Sequence, residues 1–398
     1  MTGTSAPPAG FSPSLADRLA PTAPGATAVV TATVRGTRHS ISCHGHPSAS
    51  PGTPAGPRTV FELGSVTKTM TALLLAQMCM RGEVRLEDPI TEYLPSHARP
   101  RHAEADRITL LHLATHTSGL PRLPANLYPV ALPRWTTAPY AGYTPDHLLS
   151  AATRIRPRPA PGTRVRYSNF GVGLLGRLLA EAASETYEHL LATRICAPLA
   201  LADTTVVPPP PDIGQTPKTG PADLAVGHRH GRPMPPMSMP GLPGAGAVRS
   251  CAQDLLRYLD AHLHPSATPL AAALHEVRQP RLAKPSDGDR IALVWNVRTF
   301  PDHDLYFHCG GTSGFTAFVG FSPQAETGLA ALANTAPSLR SNFVQAAYCL
   351  LTSLVGEASD DRSAHRTLDP VVQTPAAFST QPPKNGQTSA LRAPHFTP

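Results

Sequence analysis

Residues 61–80 read FELGSVTKTMTALLLAQMCM, and the rest of the sequence is interpreted outward from this stretch. From Val66 to Met80 the side chains are apolar almost all round, which predicts a buried central helix, and Gly82 is a natural end for it. Ser65 and Lys68 are three residues apart, so a helix places them on one face, a turn apart. The stretch therefore predicts a core helix that holds a hydroxyl beside an amine.

A lysine in this position has altered acid–base properties. Burial against apolar side chains and a place near the helix N-terminus both disfavour the ammonium, so the pKa of Lys68 should be depressed. The neutral amine can then act as a base or proton relay for Ser65, an otherwise weak nucleophile. The alternative is a serine and a lysine on an exposed helix. The apolar surroundings argue against it, as does the presence of only four lysines, at positions 68, 218, 284 and 384.

A second motif, Tyr167-Ser168-Asn169, precedes an apolar stretch. A phenol beside a lysine can shuttle a proton between a nucleophile and a leaving group. We expect Tyr167 in this general acid/base role, with Asn169 orienting Lys68 or a substrate carbonyl. Taken alone, the motif fits a core tyrosine beside a capping asparagine equally well.

A third motif, HCGG at 308–311, stands at the end of a predicted strand. Glycines permit close backbone approach, and an edge strand can offer an N–H to a developing oxyanion. We expect the N–H groups of Gly311 and Ser65 to form such an oxyanion hole. His308 is expected to hydrogen-bond Tyr167 or the substrate, the alternative being a partly buried strand histidine.

Together these motifs resemble those of the serine β-lactamase and penicillin-binding protein-like superfamily. They are most similar to its class C-like branch of carboxylesterases, D-stereospecific amidases and peptidases, and acyltransferases. The similarity spans about residues 12–355 and includes GEVRLEDP at 82–89, THTSGLP at 115–121 and PGT at 161–163.

The resemblance implies an α/β fold of the α+β type, with an antiparallel sheet flanked by helices and an inserted all-helical lobe. The sheet lobe is expected at about 12–88 and 245–355, and the helical lobe at about 89–244. Residues 1–11 and 356–398 are expected to be disordered.

Local patterns predict the elements of these lobes. The segments 27–34 and 38–43 indicate a β-hairpin around Gly36-Thr37. Helices are predicted at 144–153, 171–183 and 338–355, and a Ser250–Gln253 capping box predicts another through Leu263. Strands are predicted at 291–297, 305–308, 315–321 and 329–334. The proline-rich segment 207–243 is expected to be an irregular lid or edge loop.

The resemblance and the motifs imply a serine acyl-transfer enzyme. An ester or activated amide would acylate Ser65, and the acyl group would pass to an amine or alcohol, as in a transacylase of a biosynthetic pathway. The alternative is a carboxylesterase or amidase, which passes the acyl group to water. We favour transfer slightly, because long loops at 121–143 and 207–243 would exclude water and an arginine-rich, lysine-poor chain suggests a high-GC genome with biosynthetic clusters. A true β-lactamase, a D,D-peptidase or a catalytically silent scaffold is less expected.

The tripeptide Lys218-Thr219-Gly220 matches the third motif of true β-lactamases, but it stands between two prolines in a loop. Pro221 has no N–H to offer an oxyanion, so we assign the third motif to HCGG at 308–311. The resemblance implies a lysine where His308 stands. Its loss removes the cation that would bind a β-lactam carboxylate.

Composition and charge exclude some classes of binding partner. The net charge is +7, yet the arginines are scattered and no basic run occurs, so no nucleic-acid partner is expected. The sequence has no recognisable export signal and no apolar run of membrane-spanning length, which leads us to expect a cytoplasmic chain without membrane contact and with free cysteine thiols.

No metal or cofactor is expected. His112 and His116 have helical spacing but lack the adjacent glutamate of a zinc motif. The expected partners are a small-molecule acyl donor and an amine or alcohol acceptor, and the oligomeric state is left open. Trp135, Tyr140 and Tyr143 are expected to wall the acyl pocket.

Overall fold

One antiparallel sheet of eight strands organises the structure, a computed structural model that describes residues 13–47, 53–206, 224–283 and 289–366. In spatial order the strands are β2 (Arg38–Gly45), β1 (Ala28–Arg35), β12 (Thr327–Ala333), β11 (Thr316–Ser322), β10 (Asp304–Gly311), β9 (Asn296–Thr299), β8 (Arg290–Ile291) and β7 (Leu282–Ala283). Strands from both ends of the chain meet at its centre, because β1 pairs with β12 with Val29 opposite Ala333. Two smaller pairs join β3 (Val60–Glu62) to β6 (Arg249–Cys251) and β4 (Gly227–Arg229) to β5 (Arg232–Met234).

Helices cover both faces of the large sheet. On one face lie α1 (Leu15–Leu19) and α12 (Phe343–Arg366), and on the other lies α10 (Ala252–Leu263). Because β1 is covered on both faces, its residues are all buried from Ala28 to Val34, including the polar Thr31 and Thr33.

A helical lobe is inserted between the N-terminal and C-terminal strands. Its helices are α3 (Ile90–Tyr93), α4 (Leu110–Ala114), α5 (Leu127–Ala131), α6 (Pro145–Ala152), α7 (Asn169–Ala183), α8 (Tyr187–Leu191) and α9 (Pro243–Gly246), and α11 (Ala271–Glu276) follows α10. The antiparallel sheet flanked by helices, with an inserted helical lobe, confirms the predicted fold class.

The central helix α2 (Thr67–Met80) packs against α7 and α9 of the helical lobe and against α11. Its side chains from Thr67 to Ala76 are all buried, as the apolar sequence predicts. After Arg81 the chain turns at Gly82, whose φ of +71° is a left-handed conformation that favours glycine.

Several predicted elements differ in detail. The Ser250–Gln253 capping box is wrong: Ser250 lies in β6 with its hydroxyl 2.8 Å from that of Thr204, and α10 starts at Ala252 without a side-chain cap. The predicted strand at 291–297 is two short strands separated by a bend, in which Val294 has a φ of +69°. These bonds and bends depend on tertiary partners, which local patterns do not reveal.

The segment 207–243 and the C-terminal region also differ from expectation. Residues 207–223, which include the Lys218-Thr219-Gly220 tripeptide, lie outside the described residues, and the remainder contains the β4–β5 hairpin and α9. Helix α12 begins at Phe343 and continues to Arg366, past the expected boundary at 355. The expected disorder at 1–11 and 367–398 concerns residues outside the description.

Within the described residues, no helix combines the length and the apolar character needed to cross a membrane.

Candidate active site

Ser65 sits in a single 3-10 turn, Gly64–Val66, that leads directly into α2. The turn is held at its start, because the N–H of Leu63 donates to the carbonyl of Val248 over 2.9 Å. Gly64 has a φ of +50°, and a Cβ there would lie 2.6 Å from the carbonyl oxygen of Gly311. Only glycine therefore lets this turn approach the end of β10 so closely.

Lys68 lies one turn further along and is fully buried. Its Nζ is 2.9 Å from Ser65 Oγ and donates to the carbonyl oxygen of Ala245 over 2.5 Å. Burial, and secondly the charge of Arg122, hold the pKa of Lys68 well below its usual value of 10.5. The amine beside Ser65 is therefore biased toward its neutral form.

Tyr167 reaches the same hydroxyl from the helical lobe. Its phenol donates to Ser65 Oγ over 2.5 Å, and its ring centre lies 5.0 Å from Lys68 Nζ. Burial raises the pKa of Tyr167, which keeps the phenol protonated at neutral pH. Ser65 Oγ is thus in contact with one amine and one neutral phenol.

A network at the start of α7 fixes the position of Tyr167. The Ser168 hydroxyl caps α7 by accepting from the N–H of Gly171 over 2.8 Å, and it donates to the carbonyl of Pro121 over 2.6 Å. The N–H groups of Asn169 and Phe170 both donate to the carbonyl of Arg122, over 2.9 and 3.1 Å.

His116 supports Tyr167 from the other side. Its ring centre lies 4.7 Å from that of Tyr167, and its Nδ1 accepts from the N–H of Ser168 over 3.2 Å. His112, which has helical spacing with it, instead receives the N–H of Thr109 as part of the cap of α4. The two histidines therefore have separate structural roles.

The end of β10 faces Ser65 with an edge that the described strands leave unpaired. Strand β9 pairs with β10 only from Asp304 to Phe307, so residues 308–311 have no described strand on that side. The N–H of Thr312, the next residue, donates to the carbonyl of Phe315 and therefore points to the side of β11. Backbone groups alternate along a strand, so the N–H of Gly311 points to the open side, toward Ser65. A Cβ on Gly310 would collide with the carbonyl oxygen of Leu63.

The side chains of Asn169 and His308 have partners within the protein. The Asn169 amide donates to Tyr140 Oη over 3.5 Å, whereas the carbonyl of Ala245 receives the hydrogen bond of Lys68. His308 is buried, with its Nδ1 2.9 Å from the carbonyl oxygen of Cys309.

The three predicted pocket residues have different surroundings. Tyr140 lies at the site beside Asn169. Trp135 is 47% exposed and stacks on Tyr128, with ring centres 5.9 Å apart. Tyr143 is wrong as a pocket wall, because it is fully buried in the core and donates to Asn126 Oδ1.

Sequence reasoning missed the carbonyl of Ala245 and the side chain of Arg122, whose Cζ lies 5.5 Å from the Tyr167 ring centre. A backbone carbonyl leaves no residue-type signature. Arg122 directly follows the segment THTSGLP at 115–121, and this adjacency is the signal that would have found it.

One group of side chains among the described residues has the spacing of a metal site: Asp203, Cys251 and Asp254. Asp203 already accepts two hydrogen bonds from Arg58, over 2.7 and 2.8 Å. Asp254 accepts from the N–H of Asp203 and from the hydroxyl of Thr204. These oxygens are satisfied by the protein, so we interpret the group as structural.

The family model described as Beta-lactamase matches residues 16–353 of this chain. The chain is similar to a beta-lactamase of Escherichia coli (strain K12), with 28% identity over 321 residues that cover 71% of this chain and 77% of that protein. It is also similar to the D-alanyl-D-alanine-carboxypeptidase/endopeptidase AmpH of the same strain. The identity is 27% over 357 residues, which cover 83% of this chain and 86% of that protein.

Among solved structures, a class C beta lactamase from Rhodobacter sphaeroides superposes with a TM-score of 0.69 at 25% identity. The match covers 83% of this chain and 95% of that one.

Proposed function

Because the chain belongs to the beta-lactamase family of serine hydrolases, we propose that it cleaves an ester or an activated amide through an acyl intermediate on Ser65. One observation carries the proposal: Lys68 Nζ and Tyr167 Oη both lie within hydrogen-bond distance of Ser65 Oγ, at 2.9 and 2.5 Å. A nucleophile in contact with a candidate base and a candidate acid is the arrangement that covalent catalysis requires.

In the acylation step, Lys68 takes the proton of Ser65 as Oγ attacks the substrate carbonyl carbon. The N–H groups of Ser65 and Gly311 stabilise the oxyanion that develops. Tyr167 donates its proton to the leaving oxygen or nitrogen as the acyl bond breaks, and the Lys68 ammonium reprotonates the phenolate. The products are an acyl-Ser65 ester and a neutral alcohol or amine, with Lys68 and Tyr167 back in their starting states.

Deacylation runs through the same groups in reverse. A water molecule attacks the acyl-Ser65 carbonyl and gives its proton to the Tyr167–Lys68 pair, and the pair returns a proton to Ser65 Oγ. The carboxylic acid product then leaves.

Transfer of the acyl group to an amine or alcohol is the second candidate. It is favoured by the aromatic ring of Tyr140 beside Asn169, which offers stacking surface to an acceptor. The expectation of a closing lid rested partly on 207–223, which lies outside the described residues.

Relatives named beta-lactamase and D-alanyl-D-alanine-carboxypeptidase raise the question of β-lactam or peptide substrates. His308 is buried where the resemblance implies a lysine. We therefore propose that β-lactams are poor substrates compared with simple esters, because no lysine cation at this position binds their carboxylate.

Labelling with a fluorophosphonate tests the nucleophile. We expect one adduct, located on Ser65 by peptide mass spectrometry, and none in Ser65→Ala. Ser118→Ala, which removes a buried serine of the helical lobe, is the control that should still be labelled. Unchanged labelling of Ser65→Ala contradicts the proposal.

A partition measurement separates water from other acceptors. A simple ester is incubated with millimolar amines at neutral pH, and acid and amide products are quantified. Acid alone across a broad amine panel supports hydrolysis, and amide in large excess supports transfer.

A further inference from the structure

A cavity of about 300 Å³ lies at the tip of the β4–β5 hairpin. The hairpin forms one wall through Arg229, His230 and Gly231, and residues between 335 and 340 form another. Residues 24 and 25, which precede β1, also line it. These residues are not the ones that contact Ser65 Oγ, and the volume suits a small ligand.

Two arginines and a histidine line this cavity, whereas no aspartate or glutamate of the described residues does. Arg340 is exposed and has no hydrogen bond or ion pair with any described residue. Arg229 has one partner, because its Nη1 donates to the carbonyl of Thr136 over 3.0 Å. Like charges that line one small cavity repel each other, and an anion bound between them removes this repulsion.

The walls of the cavity are fixed by backbone hydrogen bonds. The hairpin turn consists of His230 and Gly231, whose φ values of +52° and +74° are the left-handed pair that a two-residue turn of this type requires. The N–H of His228 donates to the carbonyl of Asn334 over 3.0 Å, and its carbonyl accepts the N–H of Ala336 over 2.8 Å. These bonds join the hairpin to the opposite wall, so little ordering is needed when a ligand binds.

We propose that this cavity binds the phosphate group of a small phosphate monoester. A guanidinium presents its donors in a planar fork that matches phosphate, and Arg340 and Arg229 supply two such groups. A phosphate monoester carries a charge of about −1.5 to −2 at neutral pH, which two arginines balance better than they balance a carboxylate. Ser338 adds a hydroxyl to the lining, and Pro24 and Pro337 offer apolar surface to the organic part of the ligand.

Pro337 connects this cavity with the reacting groups. It lines the cavity, and a Cβ on Gly311 would lie 2.5 Å from its Cγ. One proline ring therefore separates the cavity from the expected oxyanion donor. From this position the phosphate has two sources, a remote group of the substrate that reacts at Ser65 or a separate small molecule.

Calorimetric titration with phenyl phosphate at constant ionic strength tests the site without turnover. We expect saturable binding to the full chain, weakened about tenfold in Arg340→Gln, the value of a charge-assisted hydrogen bond. The matched control is Arg232→Gln, which removes an exposed arginine of the same hairpin that does not line the cavity and should keep the wild-type affinity. Absence of saturable binding, or equal binding by wild type and Arg340→Gln, overturns the proposal. Benzoate bound as tightly as phenyl phosphate overturns the assignment to phosphate.

Two ester substrates identify the source of the phosphate. They are the 4-nitrophenyl esters of butyrate and of butyrate that carries a phosphate on C4. If the substrate supplies the group, kcat/KM is higher for the phosphorylated ester, and Arg340→Gln lowers the ratio about tenfold while Arg232→Gln does not. Equal kcat/KM for the two esters, with phenyl phosphate still bound, identifies a separate ligand of the same site. If no ester is hydrolysed but the binding difference persists, the proposed function is wrong and the phosphate site stands.

Discussion

The side chain of Lys68 is a fully buried amine, and its protonation state decides whether Ser65 can react. An ammonium at this position could not accept the proton of Ser65, because it has no free lone pair. Its two hydrogen-bond partners, Ser65 Oγ and the carbonyl of Ala245, hold it in place without adding a countercharge.

The pH dependence of turnover should report this amine. Because the pKa of Lys68 is lowered, the neutral base is populated at lower pH than for a free lysine, and activity should rise as pH increases through that pKa. The pKa of Tyr167 is raised, so the phenol should stay protonated over the neutral range. Profiles of kcat/KM against pH measure both the rise of activity as Lys68 loses its proton and the fall as Tyr167 loses its proton. An acid limb near pH 10.5 would contradict the neutral-amine mechanism.

Substitutions at the two proton-transfer groups should be severe. Lys68→Met and Tyr167→Phe should each reduce kcat/KM by on the order of 10² to 10⁴, and the double variant should lose little more, because the residues act as a unit. Retention of activity within tenfold in either single variant would remove that residue from the mechanism. Circular dichroism of each variant controls for unfolding.

Among single residues, the sequence predicted those that belong to motifs of a few consecutive residues. Ser65 and Lys68 follow from one helical turn, and Tyr167 follows from its position before an apolar helix. The Ala245 carbonyl reaches the site only through tertiary packing and has no local sequence pattern, whereas Arg122 is indicated only by its position directly after the segment 115–121. Tyr143 was misplaced because an aromatic residue in a loop can point either to the core or to a cleft.

At the scale of elements, the site depends on how closely β10 approaches the turn before α2. Gly310 faces this turn, and its Cβ would collide with the Leu63 carbonyl, whereas a Cβ on Gly311 would lie 2.5 Å from Pro337 Cγ. The two adjacent glycines thus pack against different neighbours.

Alanine at each glycine separates these roles. Gly310→Ala should push β10 away from Ser65 and reduce kcat by about 10² to 10³, the effect of losing an oxyanion donor. Gly311→Ala would place its Cβ 2.5 Å from Pro337 Cγ rather than 1.9 Å from a backbone oxygen, so it should reduce kcat less. Rates are compared with melting temperatures of the same variants. Equal kcat losses, or a larger loss in Gly311→Ala, would mean that close approach at Gly310 is not required.

Strands and helices with strong local patterns were predicted within a few residues, as for the β1–β2 hairpin and α6. The incorrectly predicted capping box shows where prediction from local sequence patterns fails. Ser250 has the right neighbour for a cap, but Thr204 competes for its hydroxyl across 46 residues of sequence.

For the whole molecule, Asn334 links distant parts of the chain at the end of β12. Its buried amide accepts from the N–H groups of Thr27 and Ala28, over 2.9 and 2.8 Å. It also donates to the hydroxyl of Thr27 and to the carbonyl of Val226, each over 2.8 Å. One side chain therefore joins the first strand, the last strand and the segment before β4.

Asn334→Ala should destabilise the fold by about 3 kcal/mol or more, because it leaves buried N–H and C=O groups without partners. Urea denaturation measures the loss. Gln279→Ala, which removes an exposed amide, is the control and should change stability by less than about 0.5 kcal/mol. An unchanged midpoint for Asn334→Ala would show that other contacts join the two ends.

The pairing of β1 with β12 has a consequence for how the chain is made. Synthesis completes the β1–β2 hairpin at residue 45, but the strand that pairs with the other edge of β1 ends at residue 333. At about 5–20 residues per second, the ribosome leaves that edge open for roughly 15 to 60 seconds. During this interval the nascent chain exposes the unpaired edge of a strand with one apolar face, which is a template for aggregation. We therefore expect the newly made protein to need a chaperone that shields β1 until its C-terminal strands emerge.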